Sequence, residues 1–268
     1  MAPAAAPALT ESIGDILQLL GNSDSVEFKL TIPDTDQRSA AMALGMDPLQ
    51  AEIRQVVFFD TPDLALDKAG VVVRARRVQR GGDVVVKLRP VEPSDLPKKL
   101  RGNPGFGVEV DAMPGKFVCS GTLKAVADNA AINRVIAGKR PLRKLLTLTQ
   151  RELYAKHAPE GLDLDSLVPL GPLTLVKLKF SPAGFKRRMV AEMWFFPNGT
   201  RILEISTKCL PAEAGTVLAS ARALLADRGV EMTGQQQTKT RAALMHFSKI
   251  AVAQAAKEAE EAAAAKSA

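Results

Sequence analysis

The sequence predicts an α+β fold, in which an antiparallel sheet is closed or nearly closed on itself and helices pack against it. About eight or nine runs of the chain alternate polar and apolar residues with the period of two that is typical of strands. Few predicted helices separate one such run from the next, and this order favours antiparallel pairing. On most runs the polar residues share one parity, which predicts a sheet with one polar face.

The first half of the chain predicts mostly strands. Residues 1–10 are rich in alanine and proline and predict a flexible end, and a short amphipathic helix is expected over 11–20. The run SVEFKL at 25–30 predicts the first strand, and DTDQRSAAMALG predicts a helix with an Asp N-cap and a stop at Gly45. Further strands are predicted in QVVFFDTPD, GVVVRARRV, DVVVKLRP and GFGVEVDAMP, with the hairpin signal QRGGD between the second and third of these.

The second half begins with a change of composition. Residues 116–147 are rich in Ala, Leu and Lys at helical spacing and predict helix. Strands are predicted again in LTLTQRELYAKH, LTLVKLKF, RRMVAEMWFF and TRILEISTK, the last two joined by a PNG turn. AEAGTVLASARALLADRG predicts a helix that ends at Gly229, and the low-complexity tail is expected to continue helically from TRAALMHF.

Composition limits the classes of function. A net charge of +7 over 268 residues favours an anionic partner, but aromatic residues are only 4% of the chain, which disfavours stacking on nucleic-acid bases. Two isolated cysteines, Cys119 and Cys209, and two isolated histidines, His157 and His246, predict neither a zinc site nor a disulfide framework. The chain shows no basic leader and no apolar run of membrane-spanning length, so we expect a cytoplasmic protein with no membrane partner.

Arginine and lysine dominate the polar parity of the strands. The six sets at alternate positions are Ser25, Glu27 and Lys29; Arg74 and Arg76; Lys87 and Arg89; Glu109 and Asp111; Lys177 and Lys179; and Glu204, Ser206 and Lys208. For any single strand a solvated face is the ordinary explanation, but six strands together favour the lumen of a barrel. Two like charges about 4 Å apart repel by roughly 4 kcal/mol at an effective dielectric near 20, so a lumen of this kind needs a compact polyanion. Carboxylates in it would be explained by a divalent cation held between protein and phosphates.

Several of these runs resemble the CYTH domain of the triphosphate tunnel metalloenzymes. The matching segments are VEFK, FFDTPDLALDKAGVVVRAR, DVVVKLRP, GVEV and RILEIS, and the resemblance extends over about residues 24–245. It implies a closed, antiparallel, eight-stranded β tunnel that binds triphosphate with Mg²⁺ or Mn²⁺. We therefore expect a flexible N-terminus and short helix over 1–23, a single tunnel domain over 24–250 and an Ala/Glu/Lys-rich tail over 251–268.

The resemblance also implies roles for individual residues. Glu27 and Glu204 match metal-binding acids and, with Lys29, are the expected catalytic residues, whereas Glu109 matches an acid that orients neighbouring basic groups. Lys239 in TKTR resembles the lysine of a closing segment on the family's lid helix. The expected substrate-binding residues are Lys29, Arg74, Arg76, Lys87, Arg89, Arg151, Lys177, Lys179, Lys208 and Lys239.

The sequence departs from the family pattern at two acids. Ser25 stands at the first acid of the opening motif, and Ser206 stands at the second acid of the late pair. Two metal-facing carboxylates are thus hydroxyls, which predicts weaker metal binding unless Glu192 or Asp111 compensates.

Three functions remain open on these grounds. The first is a metal-dependent hydrolase of triphosphate or another short polyphosphate compound. The second is a non-catalytic or weakly catalytic module that binds polyphosphate, triphosphate or a nucleotide. The third is an adenylate cyclase of the class IV type, which would need a base pocket and a placed ribose hydroxyl that no sequence feature indicates.

Overall fold

Nine strands form a closed barrel in the computed structural model, which describes residues 18–232, 236 and 238–267. Helices pack outside it, as the sequence predicts. The expected flexible residues 1–10 and most of the helix expected over 11–20 lie outside the described residues. The strands are β1 (Ser25–Ile32), β2 (Glu52–Asp60), β3 (Val71–Val78), β4 (Gly82–Leu88), β5 (Phe106–Met113), β6 (Lys116–Ala127), β7 (Val168–Phe180), β8 (Met189–Phe195) and β9 (Arg201–Cys209).

The barrel has one more strand than the eight that were expected, and one of its strand pairs is parallel. The order around the ring is β1-β5-β6-β4-β3-β2-β7-β8-β9, and β9 pairs back to β1. β1 and β5 run parallel, with Glu27 opposite Asp111, and the other pairs are antiparallel. A ring with an odd number of strands cannot alternate direction throughout, so nine strands require a parallel pair.

Helices lie between and after the strands. Their bounds are α1 (Gln37–Ala43), α2 (Ala65–Lys68), α3 (Lys98–Arg101), α4 (Asn129–Ile136), α5 (Leu148–His157), α6 (Ala214–Asp227) and α7 (Lys239–Ser267). Apolar strand residues such as Val73, Val86 and Val110 pack with Ile132 of α4 and Leu153 of α5. The main core therefore lies outside the barrel, between the sheet and its helices.

The prediction of helix across 116–147 is wrong in its first part. Residues 116–127 form β6, which pairs with β4 on one side and β5 on the other. The Ala/Leu/Lys composition imitates a helix, but the side chains alternate between two faces: Ser120 and Thr122 face away from Cys119 and Leu123, which belong to the outer core. Helix α4 follows only at Asn129.

The prediction of a strand in LTLTQRELYAKH is also wrong, because this segment forms α5. Thr147 caps the helix: its side chain accepts a hydrogen bond from Gln150 N, and the Gln150 side chain in turn accepts one from Thr147 N. Gln150, Leu153 and Tyr154 form the buried face at helical spacing. The Gln150 amide donates to the carbonyl oxygens of Val84 and Leu123, both at 3.0 Å, and so fastens α5 to the outside of β4 and β6.

Helix α7 packs against inward-facing apolar residues. Leu244 and Phe247 belong to a cluster with Phe58 of β2, Val72 of β3 and Trp194 of β8. Val72 lies two residues before Arg74 on β3, so its side chain points to the same, inner face of the barrel. Helix α7 therefore covers part of the barrel interior. None of the helices within the described ranges combines the length and the apolar character needed to cross a bilayer.

Candidate functional site

The polar parity of the strands faces the inside of the barrel. Val73, Val86 and Val110, which alternate with the charged residues, lie in the core beneath the outer helices. The charged residues of β3, β4 and β5 therefore point into a common lumen. Of the two explanations that the alternation allowed, the geometry supports the lumen.

Asp111 lies at the centre of the first ion-pair cluster. Its side chain is fully buried, with Lys29 Nζ 2.7 Å from Oδ1 and Arg89 Nη1 2.8 Å from Oδ2. Burial by itself raises the pKa of Asp111, but the nearby charges of Lys29, Lys87 and Arg89 outweigh burial and hold it well below its usual range. Likewise burial lowers the pKa of Lys29, but its carboxylate neighbours, Asp111 first, raise it above its usual value. Both groups are therefore charged at neutral pH.

Glu27 is held by the same lysine and by a serine. Lys29 Nζ lies 3.1 Å from Glu27 Oε2, and the Ser206 hydroxyl donates a hydrogen bond to Oε1 at 2.8 Å. Ser206 thus serves as a donor to the Glu27 carboxylate. Ser25 shares this face and lies opposite Glu109 in the pairing of β1 with β5.

Three carboxylates come close enough to share a cation. One oxygen each from Glu27, Glu109 and Asp111 lies within 4.8 Å of the others, and we call these residues the three-carboxylate group. Oxygen ligands of this kind suit Mg²⁺ or Mn²⁺. The composition of the group differs from the expected metal pair of Glu27 and Glu204. Glu109, expected to orient basic groups, belongs to it and forms an ion pair with Lys208.

Glu204 belongs instead to a second cluster, around Lys239 of α7. Lys239 Nζ lies 2.5 Å from Glu192 Oε2 and 2.8 Å from Glu204 Oε1, and it stands 5.3 Å from the centre of the Trp194 ring. Lys177 completes the cluster at 3.1 Å from Glu192 Oε1. The Glu192 side chain therefore points into the lumen, a question that the sequence left open. Burial raises the pKa of Glu192, but Lys239 and Lys177 hold it well below its usual range.

Cations of the β3–β4 hairpin keep donors without protein partners. Within the described ranges, neither Arg74 nor Lys87 forms an ion pair, and Arg74 Nε and Arg89 Nη2 are buried without a hydrogen-bond acceptor. Burial, together with the charges of Lys29 and Arg89, lowers the pKa of Lys87 to about 8 despite the opposing charge of Asp111. A buried donor without an acceptor destabilises the folded protein unless a bound ligand accepts its hydrogen bond.

The motif FFDTPDLALDKAG positions this hairpin. The Asp60 carboxylate accepts hydrogen bonds from the backbone N–H groups of Thr61, Leu66 and Asp67 at 2.7, 2.8 and 3.0 Å, which fixes the turn into α2. Gly70 then has φ +73°, and a Cβ there would lie 3.1 Å from the carbonyl oxygen of Arg89. Arg89 N donates to Gly70 O at 2.8 Å, so the loop sets the place of Arg89 directly.

Three other expected binding residues form no ion pair with the acids of these clusters among the described residues. Arg76 bonds to Asp83 through Nη2 at 2.6 Å, and Lys179 is exposed at the end of β7. Arg151 is exposed on α5, outside the barrel, and so does not reach the lumen clusters. Its expected role in phosphate binding came from the family resemblance, and this position outside the barrel does not support it.

Sequence reasoning also missed some lumen residues. Asp83 lies four residues before Lys87 and so faces the same side of β4. Following the alternation of β4 toward its first residues would have found it. Ser120 is fully buried on the inward parity of β6, and its hydroxyl has no hydrogen-bond partner among the residues that the structure describes. No parity argument reached it, because its segment was expected to be helical.

No family model and no curated protein matches this chain. Among solved structures, a candidate adenylate cyclase from Bacillus halodurans matches over 82% of this chain and 97% of its own length, with 10% identity and a TM-score of 0.57. A candidate adenylyl cyclase from Hippeastrum, with a dominant triphosphatase activity, matches over 79% of this chain and 91% of its own length, with 17% identity and a TM-score of 0.58. The fold is the CYTH fold. At these identities the likeness establishes the CYTH barrel alone, and the activity has to be argued from the residues in it.

Proposed function

We propose that this CYTH barrel binds triphosphate or another short polyphosphate compound in its lumen and hydrolyses it with the help of a divalent metal. The observation that carries the proposal is the set of buried donors on Arg74 and Arg89 that have no acceptor in the described part of the chain and lie beside the three-carboxylate group. Cationic donors and acids in one enclosed space suit a polyanion bound together with a metal.

The residues divide the work by their chemistry. The guanidinium groups of Arg74 and Arg89 offer planar pairs of donors that match phosphate oxygens, and Lys87 offers a further point charge. Glu27, Glu109 and Asp111 would hold Mg²⁺ or Mn²⁺, which when bound supplies positive charge to the phosphate oxygens. Hydrolysis breaks the bridging P–O bond as water adds to the terminal phosphorus, and the basic walls hold the chain of phosphates in line for this attack.

Similarity adds support to this proposal. The structural neighbour from Hippeastrum has a dominant triphosphatase activity, and its likeness covers most of this chain. The two hydroxyls at family acid positions had weakened the case for a metal site, but Asp111 and Glu109 provide carboxylates beside Glu27. The chain is thus less poor in suitable acids than the two serines suggest.

A binding module without appreciable turnover is the second candidate. It is favoured by the ion pairs that already neutralise the acids, since Lys29, Arg89 and Lys208 each contact a member of the three-carboxylate group. The third candidate, an adenylate cyclase, is named by the description of both structural neighbours.

One assay separates the three candidates. Phosphate release from tripolyphosphate and from ATP is measured with Mg²⁺ or Mn²⁺, together with a search for cyclic AMP in the ATP reaction. We expect orthophosphate from tripolyphosphate, a loss of at least about 100-fold in Asp111→Asn, and no change in the control Lys257→Met, whose side chain is exposed on α7. Tight binding of tripolyphosphate without phosphate release would replace the hydrolase by the binding module, and cyclic AMP as the main product would replace it by the cyclase.

A further inference from the structure

We propose that Lys29 is a built-in cation that occupies the place of the divalent metal until a polyphosphate draws it away. That Lys29 occupies the metal's place is inferred from ion-pair geometry. The consequence, that metal and polyphosphate bind together, rests on the proposed function. Lys29 thereby decides when the three-carboxylate group accepts a metal.

Each of the four carboxylate oxygens of Glu27 and Asp111 already lies in contact with a cationic group or a hydroxyl. Lys29 Nζ bridges the two acids at 3.1 Å from Glu27 Oε2 and 2.7 Å from Asp111 Oδ1. The other two oxygens contact Ser206 Oγ and Arg89 Nη1, each at 2.8 Å. A metal ion that joins Glu27 to Asp111 through the oxygens that face each other must therefore displace the ammonium group.

The charges of this cluster also balance. Its three carboxylates contact three cations, of which Lys29 and Arg89 share Asp111 and Lys208 holds Glu109. A divalent ion that enters a neutral group gains no net attraction, yet it must give up part of its water shell, which Mg²⁺ does reluctantly. Free metal is therefore expected to bind weakly while Lys29 stays in place.

A polyphosphate changes this balance. Lys29 and Arg89 face the same lumen as Arg74 and Lys87, so phosphate oxygens that engage these cations compete with the carboxylates for them. Once Lys29 turns to phosphate, the carboxylates carry uncompensated negative charge next to the bound anion, and a divalent cation becomes their natural partner. By linkage, metal and polyphosphate each strengthen the binding of the other.

The test measures Mn²⁺ binding to the full chain without any phosphate compound, from the electron paramagnetic resonance signal of free Mn²⁺. Wild type is compared with Lys29→Met and with the matched control Lys177→Met, which removes a lumen charge beside Glu192 but touches none of the three carboxylates. We expect Mn²⁺ to bind Lys29→Met at least about 10-fold more tightly than wild type, and Lys177→Met to stay within about 2-fold of wild type.

Lys29→Gln, which keeps a donor but no charge, guards against a folding failure of Lys29→Met. In that variant Mn²⁺ should raise Tm by several degrees more than it does in wild type. Equal Mn²⁺ affinity in wild type and Lys29→Met, or an equal gain in Lys177→Met, would overturn the role of Lys29. This result is independent of the hydrolase proposal, which is decided by the assay of phosphate release and cyclic AMP.

Discussion

At the residue scale, the charges of the lumen are organised by buried carboxylates that each form ion pairs with two cations. Asp111 pairs with Lys29 and Arg89, and Glu192 pairs with Lys239 and Lys177. The parity of the strands predicted a common face for Asp111, Lys29, Arg89 and Lys177, because alternation is a local property of the backbone, but it left the facing of Glu192 open. Which acid meets which base could not be predicted, since that depends on the register between strands distant in the chain.

Asp111 is the residue whose loss should cost the most stability. Asp111→Asn leaves Lys29 and Arg89 beside a neutral, fully buried amide, and breaking a buried pair of this kind costs about 3–5 kcal/mol. Urea unfolding of the free protein measures this cost. The control Asp34→Asn, in an exposed pair with Arg201, should change stability by less than about 1 kcal/mol. Similar stabilities of the two variants would contradict the central place of Asp111.

Lys87 should make polyphosphate binding depend on pH. Its pKa in the free protein is about 8, whereas a bound anion favours the charged form and raises this pKa. Below pH 8 the ammonium group is already charged; above it, binding must take up a proton, so affinity for tripolyphosphate falls as pH rises from 7 to 9. Calorimetry in two buffers of different ionisation enthalpy detects the proton.

The matched variant for this effect is Lys87→Arg, whose charge does not titrate in that range. Its affinity should vary less between pH 7 and pH 9 than that of wild type. An identical slope in both proteins would show that another group titrates.

At the element scale, two segments adopted the opposite structure from the one predicted, and each has a physical reason. In β6, pairing on both sides overrides a helix-like composition. The sequence of α5 suggested the polar and apolar alternation of a strand, but the Thr147 cap and the buried Gln150 stabilise a helix. Arg151, which the resemblance had placed among the phosphate-binding residues, lies exposed on this helix outside the barrel.

Helix α7 should contribute to ligand binding through its first residue. Lys239→Met removes the cation between Glu192 and Glu204 and leaves the lumen more negative. We expect tripolyphosphate affinity to fall roughly 10-fold or more, because a lost interaction with a charged group costs about 1.5–3 kcal/mol. Lys257→Met, on the exposed part of the same helix, should bind as wild type does. Equal affinities in calorimetry would mean that Lys239 serves only to hold the helix.

At the scale of the whole molecule, the barrel places its apolar core outside and its charges inside. The sequence predicted this inversion, because a polar parity repeated over six strands needs a shared partner. It could not predict the parallel pairing of β1 with β5, which brings Glu27 opposite Asp111 and so creates the three-carboxylate group. That pairing joins segments about 80 residues apart and follows only from closure of the ring.

The central claim is that this lumen is built for a chain of phosphates, and calorimetry of tripolyphosphate against orthophosphate tests it most directly. We predict that tripolyphosphate binds at least about 100-fold more tightly, that salt weakens it, and that Arg74→Ala reduces its affinity roughly 10- to 100-fold. Equal affinity for the two anions, or an unchanged affinity in Arg74→Ala, would contradict the account.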